Sequence, residues 1–503
     1  MSLVGIDVGS SAVKAAAYRE TGTLLARSSE PAPSLHPAPG LWESDANEVW
    51  GAVVRAVRRL AAEPALRGDP PVALAVSASG RESFPARADG TALGMCLRTA
   101  DARRPRRAAT EIIRLSREQW VRACGHVPDH MDPTSRLLWW HETDPRTMDR
   151  ARWFLGWHEL ISLKLSGRPI VDPALAAGFL IFDRTALDWS RGRVGALGID
   201  GRVLPDVVAW GTDVGRVRAK AAAELGLPAS CRFVVGSWDG SCAAVGAGAV
   251  EEGDALVAAG TWESVVAPVS RPRIREAARL RLAVTPQPSV PGTGLWARSP
   301  NGASALDWAL HTSGVTLRRL ERALVDSGTE PTRALVVPHL SGAPAPWPEA
   351  PHASGAILGI SLATSPVELV KGMLEGIALE LRLQIEALRF AGAPIDRCKV
   401  AGGGARSHWW MQLKADLLGI PVEVPKQDEP GTFGAALLAG VGLGTYSSFT
   451  EAARSVAMAR RFEPDAARAD AFRAKIERHR EAAAMLLAAG AVTGAGDTRE
   501  ERT

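Results

Sequence analysis

The chain opens on a short apolar run, "LVGI" at residues 3–6, which meets a turn at "DVGSS" and resumes as "AVKAAAY", whose alternation predicts a second strand. "RETGT" then predicts a hairpin turn into a third strand, "LLARS". Residues 44–63, "SDANEVWGAVVRAVRRLAAE", carry apolar positions at helical spacing behind Ser44 or Asp45 as N-cap, and "PVALAVSAS" predicts a further buried strand. "TSRLLWWHE" and "ARWFLGWHELISLKLSG" predict helices, the second closed by Gly167. After residue 200 the order begins again: "CRFVVGS", then "GAGAV" into "GDALVAAGTWESVVAPV", gives strand, turn and hairpin as at the start, so the two halves can share one fold. A long amphipathic helix, "PVELVKGMLEGIALELRLQIEALRFAG", follows, then a strand "RCKVAGGG", a helix "SHWWMQLKADLLG", a strand "PVEVPK" and a final helix "GTFGAALLAGVGLG". The end, "AVTGAGDTREERT", predicts a frayed tail. The pattern is that of an α/β chain with mixed strand pairing.

Length and composition narrow this picture. A chain of 503 residues with 46% hydrophobic and 23% charged positions is long enough for two large cores and has no signature of disorder. The expected division is 1–244, 245–490 and a disordered tail at 491–503. The net charge of +4 is small, and the cluster from Arg103 to Arg107 lacks interleaved aromatics, so it reads as a solvated face or an anion site and not as a nucleic-acid surface. The five cysteines have no CxxC and no zinc-type Cys/His spacing, and the histidines make no HExxH motif. A reducing cytoplasm is the expected compartment, with no basic leader and no apolar run of membrane-spanning length.

Three turns have the chemistry to hold phosphate or nucleotide. In "GIDVGSSAVK" a Gly/Ser turn offers amides and hydroxyls, Asp7 can hold hydrated Mg²⁺ and Lys14 can reach a phosphate, although neither a Walker loop nor GxGxxG is present. "AAGTWES" places Gly260 and Thr261 in the matching hairpin of the second half. "VAGGGARSHWWMQ" has three glycines leaving a strand for a helix, which lets a flat ring or a ribose approach the backbone. Taken alone, the first two read more readily as ordinary turns, and the third reads as well as a tight packing turn. A fourth stretch, "VVGSWDGSCAAVGAGAV", sets Asp239 at the end of an apolar strand, where a carboxylate is costly unless it is paired or used.

Taken together, these segments resemble the actin, hexokinase and heat-shock ATPase superfamily, and more narrowly the FGGY carbohydrate kinases. The resemblance runs over roughly residues 3–465, through "VGIDVGSSAVK", "GLWESDANEVW", "LDWSRGRVGALGID", "HLSGAPAPW", "LEGIALELR", "AGGGARSHWWMQLKADLLGIPVEV" and "DEPGTFGAALLAG" in order. It implies two actin-like ATPase (ribonuclease H-like) domains with a nucleotide and sugar cleft between them, an ATP and Mg²⁺ requirement, and a sugar or polyol acceptor. Carried over by position, Asp7 would assist Mg²⁺ through water; Ser10, Ser11, Lys14 and Thr261 would meet phosphates. Gly302 would lie beside the nucleotide, and Gly403 with Ser407 would border adenine and ribose. Asp239 falls on the catalytic base, which also touches substrate, and Arg81, Glu82 and Asp101 would face the acceptor. A homodimer is compatible with the resemblance.

Some positions depart from the family's pattern. Gly240 follows Asp239 where a polar residue is usual, Trp238 precedes it, and Trp262 and Glu263 make the "GTWES" hairpin similar to deoxyketose kinases such as fuculokinase. Xylulokinases have a Met-His pair where this chain has "SASGRES", whose Arg81 and Glu82 resemble glycerol kinases and can hydrogen-bond vicinal hydroxyls. Trp238, Trp262 and Trp347 are the tryptophans expected to line a ligand pocket; Trp139–Trp140 and Trp409–Trp410 read as one core and one boundary ring each. The expected activity is phosphorylation of a ketopentose such as xylulose, a deoxyketose, glycerol or another polyol. The alternatives are an inactive sugar- or nucleotide-binding protein of the same fold, and a phosphatase or acetate-type kinase on it.

Overall fold

The computed structural model describes residues 1–99, 101–129, 131–326, 330–347 and 353–493. By compactness the chain forms two units: 1–251 with 283–294 and 429–457, and 252–282 with 295–428 and 458–503. Two later segments thus return to the first unit, which a single boundary near residue 244 does not anticipate. The expected tail at 491–503 lies outside the described residues from residue 494 onward.

The first unit is built on strand Ser2–Val8, whose Ile6 and Val8 are buried in the core. It pairs antiparallel with Ala12–Arg19, which pairs antiparallel with Leu24–Pro31; on its other edge it pairs parallel with Pro71–Ala78. Arg232–Val234 continues parallel to Pro71–Ala78, and Asp213–Arg216 closes the edge antiparallel. The helix Ala46–Ala61 covers one face through Val49, Ala52, Val53, Ala56, Val57 and Leu60, the i, i+3, i+4 stripe read from the sequence. Asp45 is its N-cap, accepting from the Asn47 amide at 2.7 Å.

The second unit repeats this sheet. Its path runs Thr293–Ser299, Glu263–Pro268, Gly253–Ala259, Ile395–Ala401, Val422–Pro425 and Met458–Phe462. Gly253–Ala259 pairs antiparallel with Glu263–Pro268 and parallel with Ile395–Ala401; Val422–Pro425 then pairs parallel with the latter, and Met458–Phe462 antiparallel at the end. From Glu263–Pro268 to Met458–Phe462 the order and sense match those from Ala12–Arg19 to Asp213–Arg216, so one architecture is used twice; the second copy begins at Gly253–Ala259 and not at "CRFVVGS", because Arg232–Val234 belongs to the first unit's sheet.

Three readings change. The "ARWFLGWHELISLKLSG" stretch is not one helix: Trp153–Leu155 is a strand paired with Phe84–Ala86, and Gly156 separates it from helix Trp157–Ser166, which does end at a left-handed Gly167. The small-residue run after Asp239 is helix Asp239–Gly246. "GTFGAALLAGVGLG" forms helix Pro430–Gly442 but is not final, because Ala466–Thr493 is a further helix whose apolar residues do not make a clear stripe. All five cysteines are free and buried.

The glycines after Asp239 serve packing inside the first unit. A Cβ on Gly434 would fall 1.7 Å from the Cys242 carbonyl oxygen, and one on Gly246 would fall 2.0 Å from that of Pro430, so helices Asp239–Gly246 and Pro430–Gly442 cross backbone to backbone. A Cβ on Gly5 would sit 1.7 Å from the Thr432 carbonyl oxygen, which brings the second helix equally close to strand Ser2–Val8.

Candidate active site

In the first unit the ends of neighbouring parallel strands gather the acidic residues. Ser77 lies opposite Asp7 in one ladder and opposite Ser237 in the next, while Lys14 lies opposite Asp7 across the hairpin. Ser77 Oγ donates to Asp7 Oδ1 at 2.5 Å. Lys14 Nζ donates to Glu429 Oε2 at 2.6 Å, with both side chains about one-third exposed. A Cβ on Gly431 would be 3.1 Å from Asp7 Cγ, so the carboxylate faces the first turn of helix Pro430–Gly442. Burial raises the Asp7 pKa; the Ser77 hydrogen bond and the Lys14 charge offset part of this, and Glu429 adds to it.

Asp239 is the first residue of its helix, and its Oδ1 accepts from the Gly240 amide at 2.6 Å. Desolvation, and then the charges of Asp7 and Glu82, push its pKa up to about 8. A carboxyl poised near neutrality among other carboxylates at strand ends is the arrangement expected of a proton acceptor in a ligand site. Glu82 is buried and accepts from Thr99 Oγ1 at 3.0 Å and from the Arg81 amide at 3.1 Å. The Arg81 guanidinium does not pair with it; Arg81 Nη1 donates to Asp129 Oδ1 at 2.7 Å.

Asp101 is not brought to this group. Its side chain is enclosed, and its oxygens accept from the Trp42 amide at 2.7 Å, the Arg103 amide at 3.0 Å, Arg103 Nε at 2.8 Å and Arg103 Nη2 at 2.6 Å. Burial opposes its ionisation, but the Arg103 and Trp42 hydrogen bonds outweigh burial and hold the carboxyl below its usual range. Arg103 also reaches Glu43 at 2.5 Å, so this member of the arginine cluster is a structural cation. Ser10 and Ser11 stand exposed on the hairpin, and the Ser10 carbonyl accepts from Arg98 Nη2 at 2.5 Å.

In the second unit, helix Ala303–Ser313 docks its first turn on the Gly260–Trp262 hairpin. The Ala303 amide donates to the Gly260 carbonyl at 2.9 Å, and Ser304 Oγ donates to that of Thr261 at 3.0 Å. Gly302 is required there: a Cβ would be 2.7 Å from the Gly260 carbonyl oxygen and 2.8 Å from the Glu263 nitrogen. The three glycines of the other turn differ. Gly402 has φ +105° and no room beside Ala259, and Gly404 lies under the Trp410 ring. Gly403 faces open space. Ser407 is the N-cap of helix His408–Leu418, its Oγ accepting from the Trp410 amide at 3.3 Å. That helix also lines a cavity of about 390 Å³ with His408, Trp409, Gln412, Leu324 and Phe462.

The "GTWES" departures separate in the structure. Trp262 is exposed under Arg298, whereas Glu263 is buried and ion-paired with Lys414, which lies 4.3 Å from the centroid of the Trp410 ring. Glu263 therefore fastens the hairpin to the helix that follows the glycines and is not available to a sugar. Lys414→Ala is expected to cost about 3–5 kcal/mol by stranding a buried carboxylate, read by denaturant unfolding, and Glu263→Gln in the same chain should restore part of it. Trp347 is half-buried, and its Nε1 donates to buried Glu380 at 3.0 Å. Trp140 and Trp410 are the buried members of their pairs, as expected.

Glu429, Ser77 and Gly80 were not singled out by sequence reasoning. The only available signal for Glu429 was its place in "DEPGTFG", beside the N-terminus of a helix. Among the described residues no group of three or more His, Cys, Asp or Glu side chains is arranged to hold a metal ion. A single carboxylate such as Asp7 still fits Mg²⁺, which keeps most of its waters and binds chiefly through one or two carboxylates and substrate phosphates. The crowding of Asp7, Glu82 and Asp239 also leaves excess negative charge that a cation would relieve.

Repeated mixed sheets with ligand chemistry at their strand ends define an actin-like ATPase fold. The N-terminal domain of the FGGY family of carbohydrate kinases matches residues 2–246, and the C-terminal domain of that family matches residues 255–443. The chain belongs to the FGGY family of carbohydrate kinases. It is 26% identical over 451 residues to a xylulose kinase of Staphylococcus epidermidis, covering 89% of each protein. It is 25% identical over 505 residues to the L-xylulose/3-keto-L-gulonate kinase of Escherichia coli, covering 96% of this chain and 97% of that one. The crystal structure of a xyloylose kinase from Brucella ovis superposes with a TM-score of 0.87 at 25% identity, covering 97% of this chain and all of that one. The protein is thus an ATP-dependent phosphotransferase acting on an alcohol group of a sugar or polyol.

Proposed function

We propose that the protein phosphorylates a hydroxyl of an uncharged ketose, a ketopentose such as xylulose in the first place, with Asp239 as general base. The observation that carries this reading is the meeting of Asp7, Glu82 and Asp239 at adjoining strand ends, where burial and mutual repulsion bring Asp239 to about 8. An acidic pocket of this kind favours a neutral acceptor over a sugar acid, because a second anion would be repelled by Glu82 and by ionised Asp239. The name of the Staphylococcus epidermidis relative, a xylulose kinase, supports a ketose; that of the Escherichia coli relative pairs a ketopentose with a keto-sugar acid, so the preference for a neutral acceptor rests on the charge of the pocket.

In this reading Glu82 accepts from an acceptor hydroxyl, and Arg81, held by Asp129, presents its remaining N–H donors to the same molecule. Asp239 takes the proton of the attacking hydroxyl as its oxygen forms the new bond to the γ-phosphorus, the bond to the β-phosphate oxygen breaks and ADP leaves. Ser10, Ser11 and Lys14 contact phosphates; Lys14 exchanges its exposed Glu429 partner for them. Thr261 meets the γ-phosphate region, Gly302 holds the hairpin's backbone shape, and Gly403 leaves open space for adenine or ribose beside Ser407. Asp7 is the residue that would hold Mg²⁺ through water, and the bound ion would supply neutralisation of phosphate charge.

An ADP-release screen with ATP and Mg²⁺ across ketoses, aldoses, polyols and aldonates tests this, with the phosphorylated product identified by mass. Release with a neutral ketose at the highest kcat/KM is expected. A preference for an aldonate, or formation of an acyl phosphate, would overturn the acceptor assignment. Saturable sugar binding with no ADP formed from any acceptor would favour a non-catalytic binding protein instead.

A further inference from the structure

The two departures beside the proposed base are a single packing solution. Strand Ser237–Trp238 runs parallel to Pro71–Ala78 with Trp238 opposite Ala78, so the bend Ser79–Glu82 and the first turn of helix Asp239–Gly246 leave the sheet side by side. The Trp238 indole lies across both. A Cβ on Gly240 would fall 2.4 Å from Cη2, 2.6 Å from Cζ3 and 2.9 Å from Cζ2 of the ring; a Cβ on Gly80 would fall 2.8 Å from Leu175 Cδ2, 2.9 Å from Cδ1 of the ring and 3.4 Å from its Nε1. Gly240 carries no left-handed backbone angle that would by itself call for glycine, so the ring accounts for its missing side chain. The same ring packs against the buried cluster of Val171, Leu175, Ala176, Ala177 and Phe182 yet stays half-buried, which leaves part of it open.

We propose that Trp238 is a specificity-determining wall of the acceptor site, and that Gly240 is small because the indole occupies the space above it, as the indole and Leu175 together do above Gly80. This rests on the reading of Asp239 as the base, since Trp238 and Gly240 flank that residue and Gly80 precedes Arg81 and Glu82. An aromatic face in this position offers an apolar surface to the C–H groups of a sugar or polyol, while Glu82 and Asp239 take its hydroxyls. The wall also sets pocket width: a large ring anchored by two glycine turns limits the length and branching of the acceptor carbon chain.

The test reads KM for acceptor and for ATP separately, using the acceptor that gives the highest kcat/KM in the screen. Trp238→Ala should raise the acceptor KM by about tenfold, leave the ATP KM within about twofold, and admit longer or more branched acceptors. Trp238→Phe, which keeps a flat ring but lacks the distal indole atoms nearest Gly240, should recover most of the acceptor affinity. Gly240→Ala should raise the acceptor KM in the native chain and have little effect in the Trp238→Phe chain, because the atoms it would strike are then absent. An unchanged acceptor KM and acceptor range in Trp238→Ala, or the same Gly240→Ala penalty in both backgrounds, would overturn the proposal. The base assignment is read independently from kcat of Asp239→Asn, so either conclusion can fail without the other. If Trp238→Ala does not fold, the Phe and Gly240→Ala pair decides the matter.

Discussion

Asp239→Asn is expected to abolish most turnover while making the free protein harder to unfold. Losing the proton acceptor should lower kcat by about 10²–10⁴-fold with little change in the ATP KM, because the loss falls on the chemical step. The gain in stability follows from the same environment. An ordinary Asp releases its proton near 3.8, whereas folded Asp239 holds it up to about 8. Between those values the folded state binds more protons than the unfolded one, so stability falls as pH rises through this window and levels off above it. Asparagine has no charge to desolvate or to repel Asp7 and Glu82. The variant should therefore melt several degrees above the native chain at pH 8.5, and the gap should close toward pH 4, in scanning fluorimetry. In the native enzyme kcat/KM should rise with pH through about 8 as Asp239 ionises. Normal turnover in the variant removes Asp239 from the chemistry; equal melting curves at both pH values remove the electrostatic account.

Gly434→Ala is expected to be among the most damaging single-methyl additions in the first unit. Alanine is the better helix former by about 1 kcal/mol, so local propensity alone would make the change favourable. The crossing decides otherwise: the new Cβ would lie 1.7 Å from the Cys242 carbonyl oxygen and 2.8 Å from the Gly246 nitrogen. Both neighbours are backbone, so helices Asp239–Gly246 and Pro430–Gly442 must move apart, at a cost of about 3 kcal/mol or more. Because one helix begins at Asp239 and the other at the turn facing Asp7 and Lys14, activity should fall with stability. Gly195→Ala is the matched control: it is also helical, nothing lies within 4 Å of its Cβ position, and it should stabilise by about 0.5–1 kcal/mol in urea unfolding. Equal effects of the two substitutions would show that the crossing has slack.

The parts of the fold that were legible are those written in local periodicity. The opening hairpin, the helix capped by Asp45 and the strands ending at Val8 and Ala78 all appear where apolar spacing places them. Helix Ala466–Thr493 was missed for the opposite reason, since its charged and alanine-rich sequence shows no stripe. The 153–155 strand was hidden because three apolar residues next to a helix extend its periodicity, and only pairing with Phe84–Ala86 makes them a strand.

Site chemistry divides in the same way. Asp7, Glu82 and Asp239 were readable because each carboxylate follows an apolar strand, where burial makes a charge conspicuous. Asp101 was equally acidic and equally near a motif, but Arg103 and the Trp42 amide consume it. Lys14 meets Glu429 across 415 residues, and Glu263 meets Lys414 across 151, pairings that no spacing rule contains.

By itself the sequence determined the order of strands and helices, the position of the glycine-rich turns and the carboxylates set after apolar runs, because these depend on neighbours a few residues apart. Tertiary structure alone decided which carboxylates stay available, which glycines are small for packing and which for open space, and why Gly240 follows Asp239. Those outcomes depend on distances between atoms remote in the chain, where an indole laid over two turns or an arginine closing on an aspartate settles what each residue can do.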